Sequence, residues 1–184
     1  MNEKHESTSI KRVLKGDRDA YAILIDKYKG PVFNLAYRMT GNHQDAEDLA
    51  QETFIKAYEA LGTFNREKRF FPWLYAIALN LVRNHVKKQR MSLSLGNNAP
   101  EWNISQNDRG NPEKTAFLTQ EREELVFCLQ SLPLDLKEAV ILRFYQDLSF
   151  EDISEILGVS LSGAKMRVYR GLDRLRGLMK REEK

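Results

Sequence analysis

The stretch "SFEDISEILGVSLSGAKMRVYRGLDRLRGLMK", Ser149 to Lys180, decides the fold class. Ser149 followed three residues later by Asp152 is a capping box, which satisfies the free N–H groups at a helix start. The segment it opens runs to Gly158, where "LGVS" makes a tight turn. A second helix follows, because Leu161, Ala164, Val168, Leu172, Leu175 and Met179 recur in steps of three and four residues. Arg167, Arg170, Arg174 and Arg181 form a basic stripe on that helix, and between 161 and 181 Asp173 is the only acid. Two helices joined by a glycine turn make a helix-turn-helix, whose second helix enters the DNA major groove through its N-terminal residues. Ser160, Ser162, Lys165, Met166 and Arg167 are then placed to meet base edges or flanking phosphates. A generic bundle helix with an arginine-rich edge has the same spacing, and stays open as an alternative.

Working outward, strand signals are almost absent: no sustained alternation of period two and no Asn-Gly or Asp-Gly hairpin turn occurs. The predicted class is all-α. "MSLSLGNNAPEWNISQNDRGNPEKT", Met91 to Thr115, is rich in Ser, Asn, Gly and Pro and lacks periodicity. It reads as a flexible linker, taken as residues 91–118, joining two small helical domains at 1–90 and 119–184. At 184 residues and 42% hydrophobic content the chain has enough apolar side chains to build both cores. Its longest apolar run, Trp73 to Val82, is interrupted by Asn80 and falls short of the ~20 residues that cross a bilayer. "MNEKHESTSI" has no apolar stretch of a signal peptide, so a cytoplasmic location is expected. Cys128, the single cysteine, rules out an internal disulfide and reads as a buried thiol. His5, His43 and His85 are scattered, and no nucleotide-binding, metalloprotease or serine-hydrolase motif occurs. No enzyme, metal site, cofactor or small-molecule substrate is therefore expected.

The first domain carries two further patterns. "AYAILIDKYKGPVFNLAYRMTG" gives two apolar segments predicted to break at Gly30-Pro31, with Gly41 ending the second. In "NHQDAEDLAQETFIKAYEALG", Asn42 is an N-cap, Gly62 a C-cap, and Ala46, Leu49, Ala50, Thr53, Phe54, Ala57 and Leu61 share one broad face. Asp45, Asp48, Glu52 and Glu59 lie together on its flank. The helix dipole explains acids in the first turn but not Glu52 and Glu59 beyond it. A solvated edge and a partner-binding face both fit. In Trp73 to Arg90 most of the circumference is apolar, with Trp73 expected inside. A narrow acid-free lane of Asn80, Arg83, Lys87 and Arg90 begins beside Phe64, Phe70, Phe71, Trp73 and Tyr75. One or two of Phe64, Phe70, Phe71 and Tyr75 are expected to reach solvent, where bases stack on rings while cations track phosphates.

In this order, "DAEDLAQETFIKAY", "FFPWLYAIALNLVRNHVKKQR" and "LPLDLKEAVILRFYQDLSFEDISEILGVSLSGAKMRVYRGLDRLR" resemble the polymerase-binding helix, the promoter-melting segment and the second domain of the extracytoplasmic-function (ECF) branch of bacterial RNA polymerase sigma factors. The resemblance implies that Asp45, Asp48, Gln51 and Glu52 dock on core RNA polymerase. It implies that Asn80, Arg83, Asn84, Lys87 and Lys88 recognise and open the −10 promoter element. The loop from Phe64 to Phe71, with Tyr75 nearby, would hold a base extruded from the non-template strand. Ser160, Ser162, Lys165, Arg167, Arg170 and Arg174 fall on the helix that reads the −35 element. An anti-sigma factor, often membrane-bound, is the regulator it implies.

Some positions depart from the family pattern: Gly163-Ala164 stands where Thr-Val or Ala-Val is common, Ser154 where Ala is usual, and Leu172 where a second Arg often follows Arg170. Gly163 costs a helix up to ~1 kcal/mol relative to Ala, so a looser start to the last helix is expected. Two readings from other classes remain at this point. A free-standing helix-turn-helix regulator needs a dimer to span two half-sites and has no use for the acidic stripe. A helical adaptor would bind acidic proteins through the basic stripes and show no salt-dependent DNA binding.

Overall fold

The computed structural model describes residues 3–94, 125 and 127–182, and among them every regular element is helical. The helices are α1 (Glu3–Val13), α2 (Asp19–Thr40), α3 (His43–Ala60), α4 (Phe70–Ser94), α5 (Leu134–Phe144), α6 (Phe150–Leu157) and α7 (Leu161–Glu182), with a 3₁₀ turn at Leu61–Thr63. They group into two compact units, α1–α4 and α5–α7. Most of the predicted linker lies outside the described residues; its first four, Met91 to Ser94, continue α4.

In the first unit, α2 packs against both α1 and α4. Leu24, Tyr28, Val32, Leu35, Ala36 and Met39 of α2 are buried, as are Leu74, Tyr75, Ala78, Leu79, Val82 and Val86 of α4. Both sets follow steps of one, three and four, which keep a single stripe toward the core. On α3 the predicted face from Ala46 to Leu61 is buried throughout. The Tyr21 hydroxyl donates to the Phe54 carbonyl at 2.5 Å, tying α2 to α3. No helix among the described residues is long and apolar enough to cross a membrane.

Three local expectations are corrected here. The chain does not break at Gly30-Pro31, because α2 runs unbroken with Pro31 inside it. Proline removes one N–H and crowds the carbonyl four residues back, but Tyr28, Val32 and Leu35 on either side are buried and hold the helix together. Gly62 is not a left-handed cap: α3 ends at Ala60 in the 3₁₀ turn, and among the described glycines positive φ occurs at Gly16, Gly41 and Gly158. The N-terminal segment forms α1, whose buried Ile10 and Val13 are too few to show a helical repeat in the sequence.

In the second unit, α5 is wrapped by its neighbours, with Lys137 through Leu142 all buried. Lys137 has its ammonium on the Gln130 side-chain oxygen, so its charge is buried with a polar partner. Cys128 is a buried free thiol. The capping box forms as read: Ser149 Oγ accepts from the Asp152 backbone N–H at 3.1 Å. Gly158 then closes α6 in the left-handed conformation (φ 65°), and the Val159 N–H bonds back to the Ser154 carbonyl. The apolar stripe of α7 is Ala164, Val168, Gly171 and Leu175, whereas Leu161 and Met179, assigned to it from spacing, are exposed at the two ends.

Gly171 is the contact point between α5 and α7. A Cβ there would lie 2.5 Å from Val140 Cγ2 and 3.3 Å from the Leu136 carbonyl oxygen. Gly177, six residues on, has nothing within 4 Å of the same position. Gly171→Ala is therefore expected to destabilise the unit by about 1–3 kcal/mol through overpacking. Gly177→Ala is expected to stabilise it by up to ~1 kcal/mol through helix propensity. Urea unfolding of the two variants checks the opposite signs.

Candidate functional site

Three solvent-facing surfaces carry the charged and aromatic residues singled out in the sequence. The first is the outer face of α3. Unrolled at about 100° per residue, the helix places Ile55 directly opposite its buried stripe, with Asp48, Gln51, Glu52 and Glu59 around it. Ile55 is 59% exposed. Asp48, Gln51 and Glu52 are exposed too, and Glu52 lies 3.7 Å from Lys56 along the helix. Asp45 stands apart: it is half-buried, with Oδ2 3.2 Å from His85 Nε2 on α4. The stripe read from the sequence was acidic; its geometry is an exposed isoleucine with a polar rim. Ile55 was missed because an isoleucine among helical residues reads as core.

The second surface is the outer face of α4 with the loop before it. Asn80, Asn84, Lys87, Lys88 and Arg90 are exposed and Arg83 is half-buried, with its guanidinium 3.4 Å from Asn80 Oδ1. This face is broader than the predicted narrow lane. It also contains Trp73, which was expected inside and is half-buried, on the same side of the helix as Asn80 and Asn84. The Trp73 ring leans on Phe64 (centroids 5.0 Å) and Phe70 (5.4 Å). Phe64 and Phe70 are themselves buried. Tyr75 is fully buried, and that burial pushes its phenol well above the usual tyrosine range, so it stays neutral inside the core. Of the four aromatics expected near solvent, only Phe71 is partly exposed, its ring 4.3 Å from that of Tyr75. The aromatic cluster is thus mainly a platform, and Phe71 and Trp73 are its accessible edges.

The third surface is the N-terminal half of α7. Ser162, Met166, Tyr169 and Arg170 are exposed on the side opposite the buried stripe, and Lys165 is exposed at its edge. Arg167 and Arg174 sit on its flank, and Arg167 is half-buried. Ser160 Oγ accepts from the Gly163 N–H at 3.1 Å and so caps the helix. A Cβ at Gly163 would lie 3.2 Å from the Ser160 Oγ, a tight contact. Phe150 of α6 supports the reading face. It lies 6.2 Å from the Tyr169 ring and has the Lys165 ammonium 5.7 Å and the Arg143 guanidinium 5.1 Å from its centroid. Tyr169 was overlooked because the basic stripe drew attention away from an exposed aromatic between its members.

Family models agree with this division. Residues 24–91 match sigma-70 region 2, and residues 122–175 match sigma-70 region 4. The chain is 32% identical to the RNA polymerase sigma-H factor of Pseudomonas aeruginosa, over 92% of this chain and 91% of that one. It is 33% identical to the ECF RNA polymerase sigma factor SigW of Bacillus subtilis, over 91% and 92% of the two chains. Among solved structures, its fold is similar to that of CnrH in complex with the cytosolic domain of CnrY (TM-score 0.70, 22% identity, covering 96% of this chain and 97% of that one). It is similar too to the sigma factor RpoE in complex with the anti-sigma factor NepR from Bartonella quintana (TM-score 0.70, 23% identity, 87% and 96%). From the two consecutive region matches and relatives that align over nearly their whole length, the chain belongs to the ECF family of RNA polymerase sigma factors, which direct promoter-specific transcription initiation.

Proposed function

We propose that this chain docks on core RNA polymerase through the outer face of α3, engages the −10 element with α4 and its preceding loop, and reads the −35 element with α7. The observation that carries this reading is the pairing, within the first unit, of an exposed apolar centre ringed by acids on α3 with a basic face edged by aromatics on α4. A regulator acting through its helix-turn-helix alone would leave both faces idle.

On α3, Ile55 supplies the apolar contact and Asp48, Gln51 and Glu52 the polar rim, while Asp45 lies beside His85 of α4. On α4, Lys87, Lys88 and Arg90 track phosphates, and Asn80, Arg83 and Asn84 face the bases. Phe71 and Trp73 offer rings on which an unstacked base can rest, which lowers the cost of strand separation. On α7, Lys165 and Tyr169 are the outward groups for base edges, with Ser162 beside them; Arg167, Arg170 and Arg174 bind flanking phosphates. Nucleotidyl transfer belongs to the polymerase, so the chain needs no catalytic centre, metal or cofactor of its own. Its action on polymerase and DNA puts it in the cytoplasm. An anti-sigma factor is the expected inhibitor, a reading supported by the fold shared with RpoE, which was solved with one bound.

Replacing Glu52 by Arg, or Ile55 by Ala, is expected to weaken binding to core polymerase about tenfold or more, as loss of a hot-spot residue does. A fluorescence titration with core enzyme, with circular dichroism to verify the fold, checks this; unchanged affinity in both variants would remove α3 from the interface. On duplex −35 DNA, Lys165→Ala is expected to lose about tenfold in sequence discrimination. Arg174→Ala should instead weaken binding to all sequences and lower the salt dependence by about one ion. Neither should affect transcription from premelted templates that lack the −35 duplex.

A further inference from the structure

Within the first unit, close backbone approach joins α2 to α1 and to α4 more tightly than it joins α3 to any of them. The orientation of α3 therefore rests on side chains. Its apolar face supplies cohesion without direction, because hydrophobic contact is non-directional. Two polar ties supply the direction. One is the Tyr21 hydroxyl of α2 on the Phe54 carbonyl. The other joins Asp45, in the first turn of α3, to His85 of α4 at 3.2 Å. The two points on α3 are nine residues apart in sequence, about 14 Å along the helix, so together they set its tilt.

His85 Nε2 is shut off from water, and Asp45 Oδ2 lies within ion-pair distance of it, though out of line for a hydrogen bond. A lone pair on Nε2 would face a carboxylate oxygen and be repelled, so this nitrogen carries a proton toward Asp45. The two side chains are only 32% and 27% exposed, so water and salt screen the pair in part. Along α4, Asn84 precedes His85 and Lys88 follows nearly one turn later, both exposed on the DNA face. Along α3, Asp48 follows Asp45 by three residues, exposed on the acidic face. The contact thus joins the segments from which the two functional faces project.

We infer that His85 is a positioning residue: through Asp45 it holds the polymerase-docking face of α3 and the DNA face of α4 at the angle that promoter opening needs. The inference rests on the reading that these helices bind polymerase and DNA, and it gives Asp45 a partner inside the chain in place of one on the polymerase. Each face keeps its own side chains without the tie, because Glu52, Ile55, Lys87 and Lys88 stay where their helices put them. Opening is different: polymerase and promoter are held at once, and a change in the angle between the faces misplaces one against the other. Misalignment of bound groups costs rate rather than affinity. Ala at position 85 deprives the Asp45 carboxylate of this donor, whereas Gln puts an amide N–H near the place of Nε2 and keeps it.

The test uses the full chain, bacterial core polymerase and a promoter that the two together select from a randomised pool. Each variant is read for its affinity for core polymerase, its affinity alone for forked DNA with a randomised overhang, and its rate of open-complex formation, followed by permanganate reactivity of unpaired thymines. His85→Ala is expected to leave both affinities within about twofold and to slow opening about tenfold, a middling value for coupled residues in contact. His85→Gln should recover most of the rate, and His85→Leu, of similar size but with no donor, should not. Asp45→Ala combined with His85→Ala should open no more slowly than either alone. Unchanged opening in both His85→Ala and His85→Leu, recovery by Leu as full as by Gln, or additive losses in the double variant overturn the assignment to this pair. A loss of core affinity as large as the loss of rate overturns it too, since His85 would then serve docking alone. Failure of the unaltered chain to select any promoter overturns the underlying reading as well.

Discussion

The packing of α4 against α2 is the constraint on which the first unit depends. One helix has to bury Leu74, Tyr75, Ala78, Leu79, Val82 and Val86 and still leave Asn80, Asn84, Lys87 and Lys88 in water. Helical periodicity allows both, because a stripe spaced by three and four leaves the opposite face continuous. The core therefore fixes the orientation of the polar face as well as its existence. The aromatic cluster at the start of α4 extends the same principle: Phe64 and Phe70 are buried beneath Trp73, so a ring near solvent rests on rings that are not. A rigid platform of this kind pays little conformational entropy when a base stacks on it.

The second unit solves the analogous problem for α7 by close approach. At Gly171 the backbone of α7 comes so near α5 that no side chain fits, and α5 is buried on nearly all sides. With the left-handed Gly158 turn and the Ser160 cap, this sets where α7 begins and which way Lys165 and Tyr169 point. Phe150 contributes from α6, holding the Lys165 side chain against an aromatic face. Reading residues on α7 are thus positioned by elements that never touch DNA in the proposed complex.

Much of this was legible in the sequence, for a physical reason in each case. The capping box at Ser149, the glycine turn at 158 and the buried face of α3 are local or periodic signals, and they formed as read. What escaped depended on tertiary context. Pro31 sits within a helix because buried neighbours on both sides outweigh one missing hydrogen bond. Trp73 is half-buried, Ile55 exposed and Tyr75 fully buried, because hydrophobicity gives no direction until the partner helices are known. That Ser160 Oγ caps α7 through the Gly163 N–H shows only once the helix start is fixed. The contact of Asp45 with His85 joins residues on two different helices, beyond any local pattern.

The measurement that bears most directly on the central claim is transcription in vitro by bacterial core polymerase, with and without this chain, from promoter fragments randomised at an upstream and a start-proximal element. The account predicts initiation that depends on the chain and enriches one defined sequence at each element, the upstream one in duplex form. Absence of chain-dependent transcripts, with duplex DNA binding retained, would contradict it and leave a DNA-binding protein that acts without recruiting the polymerase.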